Sequence, residues 1–202
     1  MPLWFRLFYL AFVAVMIPVY IQQYPLVNFL WFSNLALLVG LAAALAGSSL
    51  LASMMLISVG LIEMGWVVDF LLGVALGGQA PFGMVSYMFD PDIPIHVRGF
   101  SLYHLFLPFA LFWMAWRLGY DRRALVAWLP TGWAVVVLTR LLVSEEENIN
   151  WVLRSPWHDN AEVLGWWWPA LLMVGLGLAW WFTHFLMVRI FAWLGRDPAP
   201  GR

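Results

Sequence analysis

Long apolar stretches recur along the chain and are separated by short polar segments. Each of six stretches is long enough to cross roughly 30 Å of hydrocarbon as a helix. They predict membrane spans at residues 3–21, 26–46, 50–74, 101–118, 124–143 and 166–191. We therefore expect an all-α fold, a polytopic bundle of about six transmembrane helices that forms a single domain over residues 1–202.

Two of the predicted connections, residues 75–100 and 144–165, are longer than turns and are assigned to the outer side. The first has an apolar, aromatic centre, Met84-Val-Ser-Tyr-Met-Phe89. This pattern predicts a short helix that lies on the membrane surface. The second contains the acidic run Glu145-Glu146-Glu147, which we interpret as a solvated loop.

Small residues line one face of the second predicted span. They follow one another at helical spacings of three and four, and they are Ser33, Ala36, Gly40 and Ala44. A face of this kind allows two helices to approach closely. It predicts a packing surface, either within the bundle or against a partner protein.

The composition excludes several classes of protein. The 202 residues are 64% hydrophobic and only 10% charged, whereas a soluble domain is about 25% charged. The net charge of −1 without a polybasic segment excludes nucleic acid as an expected partner. The chain has no Cys, which removes thiolate chemistry, and no Lys, which removes a Schiff-base lysine.

The distribution of Arg predicts the orientation in the membrane. If the N-terminus is inside, seven Arg residues lie on the inner side and three on the outer side, namely Arg98, Arg140 and Arg154. Positive charge accumulates on the cytoplasmic side of membrane proteins. We therefore expect a multi-pass protein of the plasma (inner) membrane with both termini in the cytoplasm.

Ionisable and amide side chains converge on one level of the predicted bundle. A charged group inside a span costs about 2.5–3.5 kcal/mol on insertion scales, so each one needs a structural or functional reason. With the orientation above, several such groups fall near the outer ends of their helices: Asn34, Glu63, Asp69, His104 and Arg140. The sequence predicts a polar layer there.

Ser101 and His104 form the sharpest candidate for catalysis within this layer. They are three residues apart and share one helical face, so the imidazole could take a proton from the hydroxyl. Asp69, at the end of the preceding span, could orient the ring and complete a serine-type triad. In the alternative interpretation, Ser101 is the N-cap of the fourth span and His104 packs at the interface.

Other members of the layer are candidates for catalysis or substrate binding. Glu63 is either protonated and hydrogen-bonded to a neighbouring helix or paired with a cation. Arg140 could hold a phosphate or carboxylate, but it could equally pair with Asp69 or Glu63, or extend to the interface. Asn34 and Asn150 complete the predicted substrate-binding set.

No metal site or cofactor is expected. His96, His104 and His158, with Asp90 or Asp92, supply suitable ligand types for zinc, but no HxxxH or HExxH spacing occurs. A bis-histidine haem would require histidines that face each other. His104 and His184, the two in predicted spans, lie at opposite depths.

The order of these features resembles the YwaF-type family of small integral membrane proteins, whose eukaryotic relatives include phospholipid acyltransferases. The similarity covers roughly residues 25–190 and rests on Trp31-Phe-Ser-Asn34, Ser101-Leu-Tyr-His104 and Asn148-Ile-Asn150-Trp151. The resemblance implies that His104 and Asn150 match the family's helical histidine and its later asparagine. The second span departs from the family, which often has a His or Asp where this chain has Phe32, Ser33 and Asn34. The acyltransferase branch uses a cysteine that this chain lacks, so thioester acyl transfer is excluded.

Two functions are consistent with the sequence. The first is an intramembrane enzyme that acts on a lipid or lipid-linked substrate from the outer leaflet, which predicts a cavity beside His104. The second is an accessory subunit of a larger membrane complex, which packs through its aromatic and small-residue faces and needs no cavity. The expected partners are accordingly membrane lipids or other membrane-protein subunits. A transporter has less support, because the sequence shows no repeats or interrupted helices.

Overall fold

The chain folds into a bundle of helices. A computed structural model describes residues 1–155 and 163–196, and these contain no strand. The helices are α1 (Leu3–Gln23), α2 (Phe32–Ala46), α3 (Ser49–Ala75), α4 (Ile95–Ser101), α5 (Tyr103–Leu118), α6 (Ala124–Leu142) and α7 (Trp167–Trp193). Short 3-10 turns lie at Leu26–Leu30, Ser86–Phe89 and Ile149–Trp151. The all-α fold class is confirmed.

Five helical segments of the described residues are long and apolar enough to cross a membrane. They are α1, α3, the α4–α5 pair (Ile95–Leu118), α6 and α7. With 15 residues, α2 is about 22 Å long at a rise of 1.5 Å per residue, which is short of a hydrocarbon core of about 30 Å. In place of one continuous second span, the structure has the 3-10 turn Leu26–Leu30 followed by the short helix α2. The protein is nevertheless a polytopic membrane protein.

Contacts between distant segments define two ends of the bundle. The start of α1 lies beside the end of α5, since the rings of Trp4 and Trp113 are 5.9 Å apart. The end of α1 lies beside α4, since the hydroxyls of Tyr20 and Ser101 are 3.0 Å apart. We call the end with the connections at residues 47–48 and 119–123 the short-turn end. The end with residues 76–94 and 143–166 is the long-loop end.

Helix α3 occupies the centre of the bundle. It contacts α2, α5, α6 and α7, and more than half of its most apolar stretch is buried. The Ser48 hydroxyl accepts a hydrogen bond from the Leu51 N–H and caps the start of the helix. Part of α3 is exposed, at Leu61, Val68 and Leu71, but Glu63 and Asp69 are both buried inside the protein and do not face lipid.

The small-residue face of α2 packs inside the chain. Ala36, Gly40 and Ala44 are all buried. A Cβ atom at Gly40 would lie 2.6 Å from the hydroxyl oxygen of Tyr9. The absence of a side chain there lets Tyr9 donate a hydrogen bond of 2.7 Å to the carbonyl of Leu37. The close approach is thus between α1 and α2, and the face is already covered.

The loop after α3 folds back over the long-loop end of that helix. The Asp69 carboxylate accepts hydrogen bonds from three backbone N–H groups at 2.9, 2.9 and 3.2 Å, those of Phe82, Met84 and Val85. Val85 and Met88 are buried against Trp66 and Val67. A short helix is present in the predicted segment as the 3-10 turn Ser86–Phe89, and its place at the membrane surface stays a prediction. This segment is a 3-10 turn that the buried carboxylate holds against the protein.

The fourth span begins earlier than predicted. Pro94 precedes the first residue of α4, and its fixed φ of −54° suits the start of a helix. Helix α4 ends at Ser101, and α5 continues after Leu102. Ser101 is consequently the last residue of α4, and the interpretation of Ser101 as an N-cap is wrong. The predicted outer loop at residues 75–100 is shortened accordingly.

Candidate functional site

A buried acid–base pair joins the two central helices near the long-loop end. Glu63 of α3 and His104 of α5 approach to 2.6 Å between Oε2 and Nδ1. Both side chains are almost fully enclosed. A distance this short is typical of a charge-assisted hydrogen bond. Glu63 therefore takes the place beside the imidazole that the sequence had assigned to Asp69.

Aromatic rings fix the orientation of the imidazole. The His104 ring stacks on Trp66 with centroids 4.6 Å apart and on Tyr103 with centroids 4.2 Å apart. The Trp66 indole N–H donates a hydrogen bond to the Tyr87 hydroxyl at 3.2 Å. Burial raises the pKa of Tyr87, which lies in the loop, so its phenol stays neutral. The ring therefore has one rotamer and a defined partner for Nδ1.

The second ring nitrogen of His104 is available to a ligand. Within residues 1–155 and 163–196, His104 Nε2 has no hydrogen-bond partner. The residue lines a cavity of about 940 Å³, at the upper end of the range of about 300–1,000 Å³ seen for small-molecule sites. A molecule in this cavity could exchange a proton with Nε2 while Nδ1 remains bound to Glu63.

The cavity is lined by both polar and apolar groups. The polar groups come from α1 to α5 and belong to Tyr20, Ser33, Asn34, Glu63, Ser101 and His104. The first half of α7 contributes mainly apolar residues, among them Leu171, Leu172, Val174, Leu176 and Leu178. This mixture is typical of a site for an amphiphilic molecule, because each part of such a molecule finds matching chemistry.

Ser101 and Asp69 lie near the pair but do not complete a triad with His104. The Ser101 hydroxyl is 3.0 Å from the Tyr20 hydroxyl and also donates a long bond of 3.5 Å to the Val97 carbonyl. The carboxylate of Asp69 is occupied by the backbone of residues 82–85. The predicted Ser101–His104–Asp69 triad is therefore not formed. Ser101 remains part of the cavity lining, whereas Asp69 stabilises the adjacent loop.

Asn34 connects the pair to the backbone of the 3-10 turn. Its Oδ1 accepts a hydrogen bond from the Tyr103 hydroxyl at 2.8 Å, and its Nδ2 donates to the Asn28 carbonyl at 2.8 Å. The bond from its hydroxyl to Asn34 thereby holds Tyr103 in place, and with it the aromatic ring that stacks on His104. Asn34 lines the cavity as predicted, but its side chain already has partners at both polar atoms.

Asn150 bridges the break between the 3-10 turn and α2. Its Oδ1 accepts a hydrogen bond from the Phe32 N–H at 3.1 Å, and its Nδ2 donates to the Leu30 carbonyl at 2.8 Å. These are backbone groups that an interrupted helix leaves without partners. Asn150 is thus a structural cap supplied by a distant loop, and it also borders the cavity.

Arg140 belongs to a different part of the long-loop end. Its Nη2 donates to the Leu164 carbonyl at 2.8 Å, and its guanidinium lies 5.4 Å from the ring centroid of Trp166. In the described part of the chain it has no carboxylate partner, so neither predicted pairing is formed with Asp69 or Glu63. The described residues that line the cavity do not include Arg140. The described contacts do not support its predicted role in holding a phosphate or carboxylate there, and that role stays a prediction.

The residues considered as metal ligands do not assemble. His96 and Asp92 are exposed, and Asp90 Oδ1 accepts a hydrogen bond from the Asp92 N–H at 2.9 Å. In residues 1–155 and 163–196, no group of three His, Asp or Glu side chains is placed to hold a metal ion. His158 lies outside the described residues.

The sequence identified Glu63 and His104 separately but did not pair them. It also missed Tyr20, Trp66 and Tyr103, which shape the surroundings of the imidazole. A signal was present for Trp66, because it follows Glu63 by one helical turn and so lies on a similar face of α3. Aromatic residues are too frequent in this chain for that spacing to have been decisive, with 15 Trp and 15 Phe.

No protein-family model, curated protein or solved structure matches the chain. The resemblance to the YwaF-type family therefore stays a prediction. It rests on the elements around Asn34, His104 and Asn150, all three of which border the cavity. Function has to be inferred from the chemistry of the cavity and its acid–base pair.

Proposed function

We propose that the protein is an intramembrane acid–base enzyme that acts on a lipid or lipid-linked substrate at the outer leaflet. The observation that carries this proposal is the buried Glu63–His104 pair, both members of which line a cavity that α7 borders with apolar groups. Titratable groups placed side by side in a cleft are candidates for functional sites. A soluble substrate would not require the apolar groups of α7.

In this proposal His104 transfers the proton and Glu63 holds the ring. Nε2 takes a proton from a hydroxyl group or water in the cavity, and the imidazole becomes an imidazolium. The Glu63 carboxylate accepts the Nδ1–H bond and stabilises that positive charge. The deprotonated oxygen attacks the carbonyl carbon of an ester in the substrate, the ester C–O bond breaks, and the proton passes from Nε2 to the alkoxide oxygen that leaves. Ser101, Ser33 and Tyr20 border the same space and can orient a polar head group by hydrogen bonding.

The placement at the outer leaflet depends on the orientation of the bundle. The short-turn end contains Arg6, Arg117, Arg122, Arg123, Arg189 and Arg196, whereas the long-loop end contains Arg98, Arg140 and Arg154. The positive-inside rule then favours a plasma (inner) membrane protein with cytoplasmic termini. The cavity lies at the opposite end and would open towards the outer leaflet.

The test uses the full chain reconstituted into vesicles made from the total lipid extract of its native membrane. Lipids are quantified by mass spectrometry over time for wild type, His104→Gln and Glu63→Gln. We expect at least one lipid species to be consumed by wild type, and the rate to fall about 10²–10⁴-fold in His104→Gln, the range for loss of general acid–base catalysis. The matched control is His184→Gln, because His184 lies in α7 and bonds Tyr120 at the short-turn end. An unchanged lipid profile, or equal rates for wild type and His104→Gln, would refute the proposal.

The accessory-subunit alternative makes a different prediction. It used the small-residue face of α2 as a partner surface, but Ala36, Gly40 and Ala44 of this face are buried within the chain, with Gly40 against Tyr9 of α1. The native mass of the protein in mild detergent at its natural expression level separates the two functions. Recovery alone, with a specific lipid bound, supports the enzyme. Recovery in a stoichiometric complex would make the protein a subunit and the acid–base pair a structural feature.

A further inference from the structure

The charges that border the cavity limit the head group that it can accept. The chain has no Lys, and none of the nine Arg residues that the structure describes lines the cavity. The charged or titratable groups on its lining are Glu63, His104 and Glu147, apart from tyrosine hydroxyls. Phosphate and carboxylate head groups are usually recognised by Arg or Lys. The described part of the lining therefore offers them no unpaired cation.

The buried acid–base pair supplies no net positive charge. If His104 holds the second proton, the imidazolium is compensated by the Glu63 carboxylate at 2.6 Å. If Glu63 holds it, both partners are uncharged, and with one proton fewer, as the base in catalysis, the pair is negative. In each state an anionic head group that reached the pair would lose its hydration without gaining a counter-charge, which is costly. Glu147 adds a negative charge to the lining, because the Ser144 N–H that its Oε2 accepts at 2.8 Å is neutral.

Uncharged hydrogen-bonding groups are plentiful in the lining of the cavity. The Ser33, Ser101 and Tyr20 hydroxyls and His104 Nε2 can each donate to or accept from a hydroxyl, ester or amide. The apolar residues of α7 accommodate hydrocarbon, and Gly175 leaves open space there, since a Cβ at this position would meet no atom within 4 Å.

We infer that the cavity selects an amphiphile with an uncharged, hydrogen-bonding head group, such as a hydroxyl-bearing glyceride, over lipids with an anionic head. The inference names the substrate class of the site and rests on the proposed function. The head group lies against Glu63 and His104, and the hydrocarbon lies along the first half of α7. The charge of the head group, and not the length of the chain, sets the selectivity.

The test is a binding competition read by native mass spectrometry of the full chain. The probes have the same dioleoyl chains and differ in head charge: dioleoylglycerol, dioleoylphosphatidic acid and the cationic dioleoyl-trimethylammonium-propane. We expect dioleoylglycerol to be retained at least about tenfold over dioleoylphosphatidic acid, since the anionic head loses its hydration without gaining a counter-charge, and the cationic lipid to be retained more than the acid. Gly175→Phe should abolish this retention by filling the cavity. Val126→Phe, which adds the same ring at an exposed position of α6, should preserve it.

Each outcome decides the inference separately from the catalytic proposal. Equal or stronger retention of dioleoylphosphatidic acid that Gly175→Phe removes would overturn the selectivity and leave catalysis open. Retention of dioleoylglycerol that Gly175→Phe does not affect would place the lipid outside the cavity and overturn the inference. Selective binding of dioleoylglycerol without turnover of any lipid in the vesicle assay would support the inference and count against the enzyme.

Discussion

Replacing Asn150 with alanine should destabilise the protein without touching the acid–base pair. The Asn150 side chain is buried and bonds the Phe32 N–H and the Leu30 carbonyl on either side of the break before α2. At membrane depth these backbone groups have few other partners, because lipid supplies none. Loss of the side chain leaves one donor and one acceptor unsatisfied.

The expected magnitude follows from these two bonds and from the backbone conformation. A buried polar group without its partner costs about 1–3 kcal/mol, so the two groups together cost about 2–6 kcal/mol. Asn150 also has a φ of +53°, a left-handed conformation that costs alanine a further 1–2 kcal/mol, roughly. Because Asn150 borders the cavity, water can reach part of the break. We therefore expect a loss of about 3–4 kcal/mol, near the lower end of the combined range.

The assay is reversible unfolding in mixed micelles with increasing sodium dodecyl sulfate, followed by tryptophan fluorescence. Asn150→Gly is the matched control for the backbone, since glycine adopts positive φ readily and should recover about 1–2 kcal/mol relative to alanine. Thr131→Ala controls for loss of an exposed hydrogen bond on α6, because Thr131 bonds the Ala127 carbonyl of its own helix. A free energy of unfolding for Asn150→Ala within about 0.5 kcal/mol of wild type would refute the reasoning.

Three further predictions test other parts of the structure. Asp69→Ala should release the loop at residues 82–85, which loses three backbone hydrogen bonds, and amide hydrogen exchange there should accelerate by at least tenfold, roughly the effect of losing 1–2 kcal/mol. Gly132→Ala should lower the free energy of unfolding by about 1–3 kcal/mol, because its Cβ would lie 2.4 Å from the Trp180 ring. The hydrogen bond from Arg123 lowers the pKa of Asp121 in the turn between α5 and α6, so wild type should be more stable than Asp121→Asn at neutral pH. The unfolded carboxyl has a pKa of about 3.9, so this difference should persist above that pH and disappear as pH falls through the lower folded value.

Matched comparisons make these three tests specific. Asp90→Ala removes an exposed loop carboxylate that bonds the Asp92 N–H, and it should leave exchange at residues 82–85 unchanged. Gly175→Ala adds a Cβ in open space and should leave the unfolding free energy nearly unchanged. Three results would contradict the reasoning. They are accelerated amide exchange at residues 82–85 in Asp90→Ala, equal losses of unfolding free energy in Gly132→Ala and Gly175→Ala, and a stability difference between wild type and Asp121→Asn that grows in acid.

The hydrophobic pattern predicted the helices well, because the length of a membrane span is set by the bilayer. The ends of α3, α6 and α7 agree with the predicted spans to within two residues. The pattern did not predict the break between Leu30 and Phe32, where backbone N–H and C=O groups lack helical partners. The break before α2 requires Asn150 from a loop some 120 residues away, and no local signal in residues 26–46 reveals that partner.

The choice of acid beside His104 could not be made from the sequence. Glu63 and Asp69 are six residues apart on one helix, so their side chains differ by about 9 Å along the axis and about 120° around it. Helix α3 is apolar and enclosed on several sides, and its pattern does not define which face meets α5. Only packing against α5 decided that Glu63 reaches the imidazole and that Asp69 turns towards the loop.

The sequence by itself determined the class of protein and the polar layer. Apolar length and scarcity of charge allow little else than a helical membrane bundle, and buried ionisable groups had to cluster because each one alone is costly in hydrocarbon. The tertiary structure decided which of these groups touch. It paired Glu63 with His104, assigned Asp69 and Asn150 to the backbone, and left Arg140 outside the cavity. These outcomes depend on helix rotation and on long-range contacts, which hydropathy along a chain does not encode.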